Sequence, residues 1–144
     1  MVMKKYPNII KGVEQKYPNV PAGSGIYSRC VQVDNLLFLS GMTAQSPDTG
    51  VCLANTPQEQ TRICYEKLRK ALEDAGSSLD NLVRTLILFK DMSDYPVVRA
   101  AELAYWQEFA PGLVDEPPAS TVVEGRLARR EFLVEIEAIA VLKK

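Results

Sequence analysis

The sequence predicts an α+β fold in which two helices cover one face of a β-sheet. Two apolar runs, residues 27–33 and 36–41, are joined by the tight turn Asp34-Asn35, and this arrangement predicts a β-hairpin. Two segments with helical spacing follow, and short apolar strands separate them and close the chain. Hairpins mixed with crossover helices are typical of an α+β sheet that carries both helices on one face.

The chain has 144 residues, of which 47% are hydrophobic, and this fits one domain with a single core over residues 1–144. Its first part, about residues 1–22, contains Pro7 and Pro18 around the apolar pair Ile9-Ile10. Prolines and turn residues at this density predict a short strand or arm with turns ahead of the hairpin.

The first helix has clear signals at both ends. Thr56, Pro57 and Glu59 form a capping box with proline at the first helical position. Gly76 stands where a left-handed residue commonly ends a helix. Apolar residues recur on one face between these ends, and the segment therefore predicts a helix that covers a sheet.

The third strand and the second helix follow. Residues 82–89 are apolar at their centre and predict a strand. Asp94 is a candidate cap for a helix with Pro96 in its first turn, and Pro111-Gly112 ends that helix. A strand over residues 119–123 then follows the pair Pro117-Pro118.

The last strand, residues 133–141, carries two carboxylates in an apolar run. Glu135 and Glu137 share one face because side chains alternate along a strand, whereas Val134 and Ile136 face the other way. Such a pair is typical of a solvated sheet face. The same strand geometry is also able to place one of these carboxylates in a half-buried cleft. With both helices on the other face, this face of the sheet needs cover, most simply from copies of the same chain.

Composition excludes several classes of function. The chain contains no histidine, which rules out a Ser-His or Cys-His nucleophile pair and a histidine-ligated zinc. A net charge of -1 argues against nucleic-acid binding, and Arg126, Arg129 and Arg130 are interpreted as a solvated turn. Three cysteines without metal or disulfide spacing, no membrane-length apolar run and no signal-peptide pattern predict a cytoplasmic protein without a membrane partner.

Several blocks of the sequence resemble the RidA/YjgF family in order and spacing. They are Tyr27-Ser28, Ser40-Gly41, residues 59–62 (EQTR), 75–81 (AGSSLDN), 90–92 (KDM) and 134–140 (VEIEAIA). The resemblance implies a chorismate-mutase-like protomer that assembles as a homotrimer and binds a small-molecule ligand between subunits. It also implies hydrolysis of enamines or imines to 2-keto acids and ammonia, without a metal or an organic cofactor.

The resemblance also implies roles for individual residues. Glu135 matches a cleft glutamate that positions or activates water, and Tyr27, Ser40 and Gly41 match positions that orient substrate. Tyr27 is equally consistent with an aromatic residue that fills an interface.

Three positions depart from the family pattern. Ser120 follows Pro118-Ala119, where the family has an arginine that binds the substrate carboxylate, and Val122 stands where many members have cysteine. Arg99 replaces a frequent asparagine and is a candidate for the missing anchor. The alternative for Arg99 is a surface pair with Glu102, three residues on.

These departures leave three functional hypotheses open. The leading one is a RidA-like deaminase with an altered choice of enamine or imine substrate. The presence of Glu135 favours this hypothesis. A non-catalytic trimer that binds a small molecule or has a regulatory role is the alternative that Ser120 favours. Endoribonuclease or translation-inhibitor activity is the third, and the acidic balance of the chain weighs against it.

Overall fold

The fold is described from a computed structural model, which covers residues 1–20 and 22–142. Eight strands occur in these residues: β1 Met3–Pro7, β2 Ile9–Ile10, β3 Val13–Glu14, β4 Ser28–Val33, β5 Leu36–Met42, β6 Leu82–Phe89, β7 Ala119–Glu124 and β8 Val134–Val141. The helices are α1 Pro57–Asp74, α2 Tyr95–Phe109 and the short α3 Gly112–Asp115. Pro21 and residues 143–144, which belong to the predicted domain, lie outside the described residues.

Six of the strands form one mixed sheet in the order β1-β4-β5-β8-β6-β7. Neighbours pair antiparallel except for β6 and β7, which run parallel and are connected through α2. The two remaining strands, β2 and β3, form a separate small hairpin in the N-terminal arm. This architecture confirms the predicted α+β class.

The ends of α1 follow the sequence signals. Thr56 accepts a hydrogen bond from the Glu59 backbone N–H at 3.3 Å, and Gly76 has a φ of 83°, which is the left-handed conformation. The prediction for α2 was wrong in one respect, since Asp94 makes no side-chain capping bond. Asp91 instead accepts from the Ser93 backbone N–H at 2.9 Å and stabilises the turn before the helix.

One face of the sheet is covered by the helices, and the other face is exposed. On the helix side, alternate residues of β8 are buried, and Val134 and Ile136 have no exposed surface. On the other side, Leu36, Phe38 and Val123 are 38%, 41% and 43% exposed. This second side is called the open face below, and its apolar side chains need cover in a stable protein.

The N-terminal arm is held more closely than its sequence indicates. Its first segment, β1, pairs with β4 and forms one edge of the main sheet. The small β2–β3 hairpin is held by a hydrogen bond from the Gly12 backbone N–H to the Pro47 carbonyl oxygen at 2.8 Å. No helix in residues 1–20 and 22–142 is long and apolar enough to span a membrane.

Candidate functional site

Glu135 packs directly on the backbone of Gly41. It lies on the open face, because its neighbours Val134 and Ile136 are buried on the helix side. The pairing between β5 and β8 shifts register between Leu39 and Met42, and Gly41 occupies this irregularity. A Cβ atom on Gly41 would lie 2.8 Å from Cδ and 2.9 Å from Cγ of Glu135. Only glycine therefore leaves room for the Glu135 side chain in this position.

The surroundings of Glu135 favour its protonated form. Burial raises the pKa of the Glu135 carboxyl above its usual range, the negative charge of Glu137 raises it further, and Lys67 opposes both. Lys67 donates hydrogen bonds to the carbonyl oxygens of Thr43 and Gln45, each at 2.9 Å. A carboxyl with a raised pKa is better matched to proton transfer near neutral pH than an ordinary glutamate.

Ser40 and Tyr27 lie close to Gly41 in the fold. The Ser40 hydroxyl donates to the Ser28 carbonyl oxygen at 2.7 Å and thus ties β5 to β4. Tyr27 is 50% exposed and, with Gly41, lines a cleft of about 210 Å³. The other walls of this cleft, called the arm cleft below, are residues 8–10, residues 45–48 and the second half of α1.

Arg99, Ser120 and Val122 lie elsewhere. Ser120 is paired with Thr85 and Val122 with Ile87, and both of these β6 residues are buried on the helix side. Ser120 and Val122 therefore occupy the face opposite to Glu135, and within one chain they do not share a cleft with it. The physical reason is the two-residue period of a strand, by which a shift of one position changes the face.

The residues of β7 that do share the face of Glu135 are Ala119, Thr121 and Val123. The sequence reasoning missed one arginine that contacts this strand: the Nη2 atom of Arg84 donates to the Thr121 hydroxyl at 3.0 Å. Strand alternation along β6 was the signal that could have found it.

Arg99 contacts both Glu102 and Ser120. Its Nη1 atom donates to Glu102 at 2.7 Å, and its Nη2 atom donates to the Ser120 hydroxyl at 3.0 Å. Glu102 is 3% exposed and also accepts a hydrogen bond from the Tyr65 hydroxyl. Arg99 thus links the buried Glu102 to the exposed Ser120, in a partly buried network between α1, α2 and β7.

Of the three clustered arginines, Arg129 pairs with Glu131 and donates to the Gly50 carbonyl oxygen at 2.8 Å. In the part of the chain that the structure describes, no group of three or more His, Cys, Asp or Glu residues is arranged to hold a metal ion.

The raised pKa of Glu135 predicts a pH-dependent stability difference between the wild type and Glu135→Gln. The folded state binds the proton more tightly than the unfolded chain, whose glutamate pKa is near 4.5. The stabilising contribution of this proton is complete below that value and is lost as pH rises through the folded pKa. Glu135→Gln should therefore gain stability relative to wild type as the pH rises from about 4.5 through the folded-state pKa of Glu135. Urea denaturation at several pH values measures this, and a difference that does not change with pH would contradict it.

Comparison with known proteins identifies similar sequences over most of the chain. The sequence profile of the family described as Endoribonuclease L-PSP matches residues 18–142. The 2-iminobutanoate/2-iminopropanoate deaminase of Mus musculus is 32% identical, over 84% of this chain and 84% of its own length. The protein of the same name from Escherichia coli is 31% identical, over 85% of this chain and 92% of its own length.

Solved structures show the same fold. The crystal structure of the YjgF gene product from Escherichia coli superimposes with a TM-score of 0.76 at 26% identity, covering 97% of this chain and 99% of that one. A putative endoribonuclease from Thermotoga maritima gives a TM-score of 0.72 at 31% identity, with 86% and 92% covered.

Proposed function

Since this chain belongs to the Endoribonuclease L-PSP family, the family of the RidA and YjgF proteins, we propose that it is a deaminase-type hydrolase of small enamines or imines. Two relatives that cover more than four-fifths of the chain are named as deaminases of 2-imino acids. The observation that carries the proposal is the half-buried Glu135 carboxyl, packed on Gly41 and with a raised pKa.

In the proposed reaction, Glu135 moves protons and the water molecule supplies the new oxygen. The Glu135 carboxylate accepts a proton from water as the oxygen adds to the carbon of the protonated C=N group, and a neutral carbinolamine forms. The same carboxyl then gives this proton to the amine nitrogen. As the C–N bond breaks and ammonia leaves, the Glu135 carboxylate takes the proton of the carbinolamine hydroxyl group and a 2-keto acid forms; the ammonia released takes up this last proton as ammonium. The raised pKa allows Glu135 to act as base in the first step and as acid in the second.

We further propose that the protein is a homotrimer that covers the open faces of its sheets. The supporting observation is the exposure of Leu36, Phe38 and Val123 on a face that also carries Glu135. Light scattering on the purified protein is expected to give about three times the chain mass of 16.0 kDa. A monodisperse species at the mass of one chain would contradict this.

The activity is tested by ammonia release from 2-imino acids that an amino-acid oxidase generates in situ. The wild type should accelerate this release, and Glu135→Gln should lower the rate by about 10²- to 10⁴-fold, the usual contribution of a general acid-base group. Glu108→Gln is the control, because Glu108 lies on exposed α2 surface and pairs only loosely with Arg62, at 3.9 Å. Equal acceleration by wild type and Glu135→Gln would contradict the role of Glu135.

A second candidate is a trimer that binds a small metabolite without converting it. It is favoured by the side chains of Ala119, Thr121 and Val123, which leave β7 without a charged group on the face of Glu135. Saturable binding of a 2-keto acid, together with no acceleration of ammonia release by the wild type, would support this alternative over the hydrolase.

A further inference from the structure

Arg99 presents its guanidinium group at an edge of the main sheet. Its Nη2 atom donates to the Ser120 hydroxyl at 3.0 Å, and Ser120 lies on the edge strand β7. The Arg99 side chain keeps 27% of its surface exposed, although its Nη1 atom is bonded to Glu102. A guanidinium has five N–H donors, so these two partners leave donors free for a carboxylate.

The position of this guanidinium is fixed from behind. Glu102, which accepts from Nη1 at 2.7 Å, is buried and also accepts from the Tyr65 hydroxyl. The guanidinium carbon lies 5.2 Å from the centre of the Tyr95 ring. A planar cation that is already oriented in this way loses little side-chain entropy when it binds a ligand.

Arg99 lies between two exposed apolar side chains of α2. Tyr95 and Leu103 stand four residues before and after it, which is the spacing of one helix face. They are 40% and 42% exposed. Large apolar side chains around an arginine are typical of a surface that another subunit contacts.

The topology of the sheet places Arg99 and the surroundings of Glu135 on different sides of one protomer. Arg99 accompanies the β7 edge, whereas Ser40 is tied to β4 and Tyr27 directly precedes β4, next to the β1 edge. In a threefold ring, one surface of each copy meets a different surface of the next copy. With the open faces turned inward, the β7 side of one copy therefore meets the β1 side of its neighbour.

We propose that Arg99 of the neighbouring subunit binds the carboxylate of the substrate at the Glu135 site and sets the preference for acidic over neutral substrates. This inference rests on the proposed function, from which it takes the hydrolase reaction, the homotrimer and the ligand class, a small 2-imino or 2-keto acid. Glu135 of one subunit moves the protons and Arg99 of the next holds the substrate, so one chain alone has half of the site.

Lys90 is the competing cation within one chain. It follows Leu88, the partner of Glu135 in the strand pairing, by two residues and donates to the Arg130 carbonyl oxygen at 2.7 Å. An ammonium group is a point charge without the fork geometry of a guanidinium, so it attracts an anion without orienting a carboxylate. Lys90→Gln is therefore the comparison variant for Arg99→Gln.

The first test measures binding of 2-oxobutanoate and of its neutral analogue 2-oxobutanamide by calorimetry. Wild type should bind the acid at least about tenfold more tightly than the amide, and Arg99→Gln should bring the two affinities within about twofold. Lys90→Gln should keep the acid preference, as should Arg62→Gln, which removes a positive charge from exposed α1 surface. Arg99→Lys keeps a charge beside Glu102 and should show a reduced preference, because it lacks the fork.

An acid preference that stays within twofold of wild type in both Arg99 variants would overturn the inference, as would equal binding of acid and amide by the wild type. Light scattering on each variant checks that the assembly is unchanged, so that a loss of folding is not read as a loss of the anchor.

Mixed trimers test whether Arg99 acts from the neighbouring subunit. Glu135→Gln and Arg99→Gln chains with two different affinity tags are co-expressed, and trimers that contain both chains are purified over both tags. In every such trimer one interface of the three joins an intact Glu135 to an intact Arg99, so ammonia release should reach about one third of the wild-type rate. If both residues acted within one chain, no mixed trimer would contain an intact site, and a rate no higher than that of the two parent variants would overturn the inference.

Binding and turnover together separate this inference from the proposed function. Loss of the acid preference in Arg99→Gln, in a protein whose wild type releases no ammonia, would leave Arg99 as the anchor and refute the hydrolase. Ammonia release by the wild type with a KM that Arg99→Gln leaves unchanged would refute the anchor and leave the hydrolase.

Discussion

Replacing Gly41 by alanine is expected to remove most of the hydrolase activity and part of the stability. The new methyl group would overlap the Glu135 side chain, including Cγ at 2.9 Å, so the whole side chain must move rather than only its tip. Overpacking of this kind costs about 1–3 kcal/mol of unfolding free energy. The activity should fall about 10²- to 10⁴-fold, as for loss of a general acid-base group, because the carboxyl no longer holds its position. Urea denaturation and the ammonia-release assay measure the two effects.

A double-mutant cycle identifies the cause of that loss. In a Glu135→Ala background, the Gly41→Ala change should lose most of its stability cost, since the overlapping side chain is absent. Gly125→Ala is the matched control, because a Cβ atom there meets nothing within 4 Å. Full additivity of Gly41→Ala and Glu135→Ala would show that the cost arises in the strand backbone and not in contact with Glu135.

Replacing Glu102 by alanine is expected to give the largest loss of stability among charged residues discussed above. Glu102 is 3% exposed and accepts hydrogen bonds from the Tyr65 hydroxyl and from Arg99, the latter at 2.7 Å. Burial raises the pKa of Tyr65 well above its usual value, so its hydroxyl stays a donor at all moderate pH. Breaking a buried pair by removal of one partner costs about 3–5 kcal/mol.

The matched control for Glu102 lies on the same helix. Glu108→Ala removes a glutamate whose side chain is 58% exposed and whose partner Arg62 is 3.9 Å away, and it should cost at most about 1 kcal/mol. Chemical denaturation of both variants gives the comparison. Similar losses for Glu102→Ala and Glu108→Ala would mean that the network around Arg99 does not stabilise the fold.

Most of the element pattern could be predicted because its signals are local. The Thr56 cap and Gly76 marked the ends of α1, and apolar alternation assigned Glu135 to the face opposite Val134. The edge strand β1 was harder to predict, because its partner β4 lies more than twenty residues away. Asp94 was assigned as a cap in place of Asp91, since two aspartates in one turn offer the same signal.

The features of the candidate site also fall into two groups, those that local sequence patterns predict and those that only the tertiary structure determines. Local periodicity was enough to give the fold class, the helix ends and the side of the sheet on which Glu135 lies, because these depend on residues a few positions apart. The pairing register of β7 placed Ser120 with Thr85 on the helix side, and the irregularity in β5 brought Gly41 under Glu135. The N-terminal arm and α1 come together to form the arm cleft. These features depend on contacts between distant segments, which a single sequence does not encode in any local pattern.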